Sequence, residues 1–443
     1  MRFSKHTIFS QIRNSEKFFI INALTGNADI LSKEEASKIH LLKQNIDISN
    51  SSFVDELIQK GYILDEKEET KLFQTKYLEF LDNRESDEIQ LFLVPNYSCN
   101  FACTYCYQDQ YSNATKEMSR DMIDAFFAYV KNEFRTRKKY VTVFGGEPLL
   151  NSPKQRELIA YLVQQTNQTQ LDLCFVTNGY TLAEYIDILK TGRIREIQVT
   201  LDGTEAIHNA RRFLKGGNGT FAHVVNGIDA CIRNGITVNL RMVIDKENID
   251  NLPDLARYAI DKGWTQSPFF KTQVGRNYEL HHCQSAPNKL FSRITLYEKL
   301  YELVAQHPHI LEFYKPAYSL SKFLSENGSL PEPLFDSCPA CKTEWAFDYS
   351  GHIFPCTATV GKATESLGTF YPEVKRNQHI IDDWENRDVT SIHECKDCSL
   401  QLACGGGCGS VAKNKNNTIC STDCRPVKEL LELGFSAYFD NPS

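Results

Sequence analysis

Three cysteines stand close together in Cys99-Asn-Phe-Ala-Cys103-Thr-Tyr105-Cys106-Tyr107, with three and then two residues between them. Three thiolates can hold three irons of a 4Fe–4S cube and leave the fourth without a protein ligand. An open iron is a place to do chemistry, as an open coordination position marks a catalytic zinc. Just upstream, Glu88-Ile-Gln-Leu-Phe-Leu-Val-Pro95 is a short apolar run that predicts a buried strand. The thiols therefore sit on the loop leaving its C-terminal end.

The 443-residue chain holds 15 cysteines, and nine of them lie between 338 and 424. Met1-Arg-Phe-Ser-Lys-His-Thr-Ile lacks the apolar core of a signal peptide, so a cytoplasmic location is expected. Thiols stay reduced there, which favours metal or catalytic use over disulfides. A net charge of −7 argues against nucleic acid or an anionic membrane as the main partner. No apolar run of about 18 residues predicts a membrane span. Cys174, in an apolar strand, and Cys231, in a helix, are expected to be buried as small hydrophobes. Cys283 sits in a polar loop and acquires no role.

The elements that must position these groups fall into four stretches. Residues 1–85 predict two short strands joined at Thr25-Gly-Asn, a helix capped by Ser32 with Glu35, a helix from Ser52 to Lys60, and a short strand or wing at Tyr62-Ile-Leu. Residues 86–284 alternate strand and helix, with strands at 88–95, 140–144, 171–177, 195–201, 237–244 and 268–274. Alternation with apolar strands predicts an α/β fold with a parallel sheet and right-handed crossovers. A partial β/α barrel and an open doubly wound sheet both suit six units, and both place the site at the C-terminal strand ends. Residues 285–337 read as a helical bridge. Residues 338–443 are cysteine-rich, are expected to bury little apolar surface, and would need metal to fold.

Phe144-Gly145-Gly146-Glu147-Pro148 follows the second strand. Two glycines allow close approach of backbone to a ligand, and a glutamate can receive an ammonium group. With the cysteine triad this resembles the radical S-adenosylmethionine (SAM) enzymes. That resemblance implies a partial (β/α)6 TIM-like barrel. It also implies a cluster on Cys99, Cys103 and Cys106, preceded by the aromatic Tyr105, and SAM amino-group binding at Gly145, Gly146, Glu147 and Pro148. The later strand ends continue it through Thr177-Asn178-Gly179 and Val199-Thr200-Leu201-Asp202-Gly203. Thr200 is implied to contact SAM, and Arg212 to reach its carboxylate, for which a guanidinium fork is well matched. A surface charge is the plainer reading of Arg211. Arg241 lies within a strand and faces either the barrel or its exterior.

The C-terminal pattern has Cys338, Cys341 and Cys356, then Cys395-x2-Cys398-x5-Cys404-x3-Cys408, then Cys420-x3-Cys424. A zinc ribbon would use two Cys-x2-Cys pairs. The long spacing instead resembles the SPASM extension of radical SAM enzymes, which implies two auxiliary 4Fe–4S clusters. By that resemblance Cys338, Cys341, Cys356 and Cys408 hold one cluster, and Cys395, Cys398, Cys404 and Cys424 the other. Cys420 or Cys424 is surplus, and Cys338 is close to Cys341. If Cys338 does not bind, the first auxiliary cluster has an open iron.

The resemblance implies an oxidoreductase in which reductive SAM cleavage gives a 5′-deoxyadenosyl radical that takes hydrogen from a peptide. A one-electron donor of the flavodoxin or ferredoxin kind would be a partner. Sulfatase maturases carry an aspartate after the cysteine matching Cys356, where this chain has Thr357. The winged-helix-like N-terminal unit is also more than such a maturase needs. Both features favour a ribosomal-peptide maturase that binds a precursor's leader and installs a thioether or carbon–carbon crosslink. A formylglycine-generating maturase and an iron–sulfur carrier or peptide-binding scaffold are the alternatives.

Overall fold

A computed structural model describes residues 1–44, 52–106, 116–276 and 287–440; Tyr107 and Cys283 lie outside them. At the N-terminus, β1 (Arg2–Phe3) pairs with β5 (Ile63–Leu64), and β2 (Thr7–Gln11), β3 (Phe18–Asn22) and β4 (Asn27–Leu31) form an antiparallel sheet. The helix Lys33–Lys43 starts with the expected capping box, in which Ser32 and Glu35 each accept the other's backbone N–H. The strand β2 and the helix Glu66–Ser86 were not anticipated. That helix opens on an acidic run and carries only a narrow apolar stripe, so its periodicity is weak.

Period-two alternation gives β3 two apolar faces. Ile20 packs with Leu31, Ile39, Val54, Leu57 and Tyr62 within the unit. Phe19 and Ile21 share a core with Phe335, Ile392, Val427 and Phe435 from the C-terminal region. The Phe19 ring stacks on Phe435 with centroids 4.5 Å apart. Phe19→Ala is expected to destabilise the folded chain by about 3–5 kcal/mol, read by chemical denaturation. Equal denaturation midpoints for the two proteins would rule out a shared core.

The six predicted barrel strands are β6 (Ile89–Val94), β7 (Lys139–Val143), β8 (Asp172–Thr177), β9 (Ile194–Thr200), β10 (Val238–Ile244) and β11 (Phe270–Arg276). They are parallel and lie side by side in chain order. No strand order reverses, so this is the winding of a partial barrel and not of a doubly wound sheet. The sheet does not stop at β6. β12 (Glu344–Asp348) pairs parallel to it, and β13 (His352–Phe354), β14 (Gly368–Thr369) and β15 (Lys375–Arg376) continue antiparallel.

The expectation that the cysteine-rich stretch buries little apolar surface is therefore corrected. Trp345 and Phe347 point from β12 onto the helix Arg120–Glu133 and its end, with Phe347 5.0 Å from Phe126 and Trp345 5.4 Å from Phe134, centroid to centroid. Alternation along a single short strand was enough to join two regions into one core. Among the described residues, no helix is long and apolar enough to cross a membrane.

Candidate active site

The loop after β6 and the loop after β7 touch backbone to backbone. Gly146 N donates to Asn96 O at 3.1 Å, and Glu147 N donates to Ser98 O at 2.7 Å. A Cβ on Gly146 would lie 2.2 Å from Ser98 O, and Gly145 has φ +142° with Asn96 O 2.6 Å from its Cβ position. The glycines are thus required by contact with the stretch that delivers Cys99.

Glu147 is buried, and its carboxylate accepts from Thr177 Oγ1 (2.6 Å), Asn178 N (2.6 Å) and Leu149 N (2.8 Å). It ties the second strand end to the third. Burial still pushes its carboxyl up, against those three bonds. Glu147→Gln presents an NH2 where an acceptor is needed. The expected loss is about 1–3 kcal/mol in thermal unfolding of the holoprotein; unchanged stability would mean that the carboxylate is not the tie.

The cysteine loop is held from a second side. Ala102 N donates to Phe213 O, Thr104 N to Arg211 O, and Lys215 N to Asn100 O, at 2.8–3.0 Å. Cys99 Sγ accepts from Phe101 N at 3.4 Å, and Asn178 Nδ2 lies 3.8 Å from it. Burial pushes the Cys99 thiol up to about 12, and the charges of Glu147, Cys103 and Cys106 add to the shift. Three mutually repelling sulfurs beside backbone and amide donors are the donor set of a cationic iron centre.

Arg212 is buried beside this set. Its Nη1 donates to Tyr105 Oη at 2.8 Å, Cys103 is among the charges around it, and its Nε is buried without a hydrogen-bond partner. That orphaned donor fits an incoming carboxylate. Arg211 is not a surface charge. It forms a bidentate pair with Asp245 at 3.0 Å and meets Asp202 Oδ2 at 3.3 Å. Asp202 is fully buried, and its other oxygen accepts from Val243 N, so it anchors both Arg211 and β10.

Asp202 N donates to His208 Nδ1, which leaves Nε2 to donate to Thr220 Oγ1. Burial keeps that imidazole neutral. Thr200 ends β9 in register with Arg241 on β10. Alternation along β10 buries Leu240 and Met242 and turns Arg241 to the barrel interior, against Gly275, with its Nε also lacking a partner.

The C-terminal thiols fall into two electrostatic neighbourhoods. Burial pushes Cys356 well up, with Cys338 and Cys408 among the contributing charges; Cys338 also acts on Cys341 and Cys408. Burial pushes Cys395 up to about 12, with Cys404, Cys398 and Cys424 contributing. Cys424 is among the charges that act on Cys395 and Cys404; both Cys420 and Cys424 are exposed. Backbone N–H groups face these sulfurs, among them Gly409 N on Cys338 and Gly406 N on Cys404. Among the described residues, no three such side chains converge as around one metal ion, whereas cluster thiolates each bind a different iron.

One residue of this region carried no sequence signal. Arg387 is fully buried and donates to the carbonyls of Gly406, Gly407, Ile419 and Ser421, clamping the turn between Cys404 and Cys408 to the stretch before Cys424. A lone arginine after a helix looks like a surface charge.

A parallel partial barrel with a three-cysteine loop at its strand ends defines the radical SAM class, and residues 93–259 match the radical SAM superfamily. The chain carries a radical SAM domain, whose cofactors are a 4Fe–4S cluster and SAM. It is 22% identical over 384 residues to a serine-type anaerobic sulfatase-maturating enzyme of Bacteroides thetaiotaomicron, across 77% of this chain and 86% of that protein. It is 27% identical over 282 residues to a GTP 3′,8-cyclase of Helicobacter pylori, across 62% of this chain and 81% of that one.

Among solved structures, native anSMEcpe with bound AdoMet matches with a TM-score of 0.62 at 19% identity, over 80% of this chain and 98% of that one. Streptococcus suis SuiB bound to precursor peptide SuiA matches with a TM-score of 0.52 at 15% identity, over 96% and 98%.

Proposed function

We propose that the chain is a radical SAM maturase of a ribosomally made precursor peptide, which it crosslinks by net oxidation through a thioether or carbon–carbon bond. What supports this is the cysteine spacing, three thiols on the loop after β6 and a further set between 338 and 424, together with the charges of Cys338 and Cys408 on Cys356 and of Cys398, Cys404 and Cys424 on Cys395. On this reading Cys99, Cys103 and Cys106 hold the SAM-binding cluster. Cys338, Cys341, Cys356 and Cys408 hold one auxiliary cluster, and Cys395, Cys398, Cys404 and Cys424 hold the other. Bound there, the cluster and SAM supply a 5′-deoxyadenosyl radical that takes a hydrogen atom from the peptide.

The chain's own groups orient and desolvate. Arg212 offers its free Nε to the SAM carboxylate, Thr200 closes the polar end, and Asn178 steadies the loop through Asn100, to which it donates at 2.7 Å. The fold likeness to SuiB extends over 96% of the chain, against 80% for anSMEcpe, which supports a leader-binding role for the N-terminal unit.

The formylglycine reading has one observation in its favour. Thr357 replaces the aspartate of the sulfatase maturases, yet its N–H and Oγ1 both donate to Glu344, at 2.6 and 2.7 Å, so a carboxylate still stands at that place. The test is to incubate reduced, iron-loaded protein with SAM and any short peptide found encoded beside its gene. A peptide lacking two hydrogens and unreactive toward aldehyde reagents is expected. An aldehyde-reactive product would favour formylglycine, and the absence of 5′-deoxyadenosine would defeat both readings.

A further inference from the structure

A group of buried charges lies beside the thiols of Cys338 and Cys341. Lys342 follows Cys341 directly in the chain. Its Nζ meets Asp336 Oδ2 at 2.6 Å and donates to Cys338 O at 3.3 Å. The other carboxylate oxygen, Asp336 Oδ1, accepts from Cys338 N at 2.9 Å and faces Arg387 Nη1 at 3.7 Å. All three charged side chains are buried. Asp336, Cys338 and Lys342 thus close a ring on the turn from Cys338 to Cys341, and Cys341 itself takes left-handed backbone with φ +61°.

The charges in this group do not balance. Lys342 and Arg387 are two cations, and Asp336 is the one carboxylate that meets both. Burial pushes the Cys341 thiol well up; Glu385 and Cys338 add to the shift, and Lys342 and Arg376 oppose it. Of these outer charges, Glu385 and Arg376 act with opposite signs, and Arg376 is paired with Glu133. The inner group therefore keeps one positive charge in excess. A charge held out of water is costly unless an opposite one stands near. A cluster on four thiolates is such an anion, and it becomes more negative when it is reduced.

We propose that Lys342 and Asp336 are positioning residues for the iron–sulfur cluster of the first C-terminal thiol group: together they fix the Cys338–Cys341 turn, and their opposite charges set the cluster's reduction potential. The inference rests on the assignment of Cys338, Cys341, Cys356 and Cys408 to one cluster. When an external one-electron donor gives that cluster an electron, the Lys342 ammonium favours the reduced form and the Asp336 carboxylate the oxidised one.

The test is a redox titration of the full-length, iron-loaded protein with dithionite and mediator dyes, followed by electron paramagnetic resonance. In Lys342→Met one wave is expected to move to lower potential by about tenfold in the reduction equilibrium, about 59 mV for one electron. Asp336→Asn should move the same wave to higher potential, and Lys342→Arg, which keeps the charge, should leave it in place. A loosened turn has no reason to follow the sign of the charge removed. An unmoved wave in both neutral variants, or shifts of the same sign, overturns the proposal. Loss of iron from Lys342→Met is read against Lys342→Met/Asp336→Asn, which removes both members of the pair. Recovery of iron in the double variant supports the pair, and failure to recover overturns it. Iron analysis of the wild-type protein, made separately, tests the three-cluster assignment beneath the proposal, so the two failures are distinguishable.

Discussion

Replacing Cys99, Cys103 and Cys106 together by alanine is expected to remove 5′-deoxyadenosine formation altogether. The loss should far exceed the roughly 10–100-fold that removal of an outer contact costs at a metal site. The reason is that these three sulfurs lie on one loop between two supporting surfaces, the 96–98 stretch on one side and 211–215 on the other. Among the described residues, no other thiol lies on that loop. Bound iron should fall by about a third, because one of three proposed clusters is lost and the other two have their own ligands. Product assay by chromatography and iron analysis on the same sample check both numbers. Full retention of product would remove the triad from the chemistry. Complete loss of iron would contradict the assignment of the eight C-terminal cysteines.

Arg387→Met is expected to have the largest effect of any change away from the thiols. Its guanidinium donates to four carbonyls at 2.6–3.1 Å and faces Asp336 at 3.7 Å, all out of contact with water. Methionine fills a similar volume and satisfies none of them. Breaking a buried charged group of this kind costs about 3–5 kcal/mol, and each stranded carbonyl adds about 1–3 kcal/mol of desolvation.

The carbonyls belong to Gly406 and Gly407, which set the spacing of Cys404 and Cys408, and to Ile419 and Ser421, which lead to Cys424. Both C-terminal thiol groups should therefore lose iron together. Thermal unfolding and iron content of the variant test this. Arg387→Lys should fall between the two, since an ammonium is a point donor and cannot span four acceptors. Wild-type iron in Arg387→Met would show that the clamp is dispensable.

The fold was legible where periodicity was strong. Six strand patterns translate into β6 to β11 within a few residues of their observed ends, because a strand buried on both faces, such as β6, must be near-continuously apolar and a half-buried one, such as β10, must alternate. The capping box at Ser32 was legible for a similar reason, being a bond between residues three apart. The cysteine spacings were also legible, since they are the direct record of where sulfur is needed.

Long-range contacts were not legible. Which of Gly145, Glu147, Asp202 and Arg211 would meet a cofactor, and which would meet the chain itself, depends on how close neighbouring strand ends come. In the folded protein all four are taken up by backbone, by buried ion pairs, or by both. The carbonyls that Arg387 holds and its approach to Asp336 depend on segments that are distant in the chain and adjacent in space.

By itself, then, the sequence determined the element order and the parallel sheet, since each is written in local period or spacing. Only the tertiary structure decided that Arg212 keeps a free donor. It also decided that the N-terminal sheet shares a core with the C-terminal region. Those outcomes depend on distances between residues far apart in the chain, and these are set by packing and by the pairing of buried charge, which no single stretch encodes.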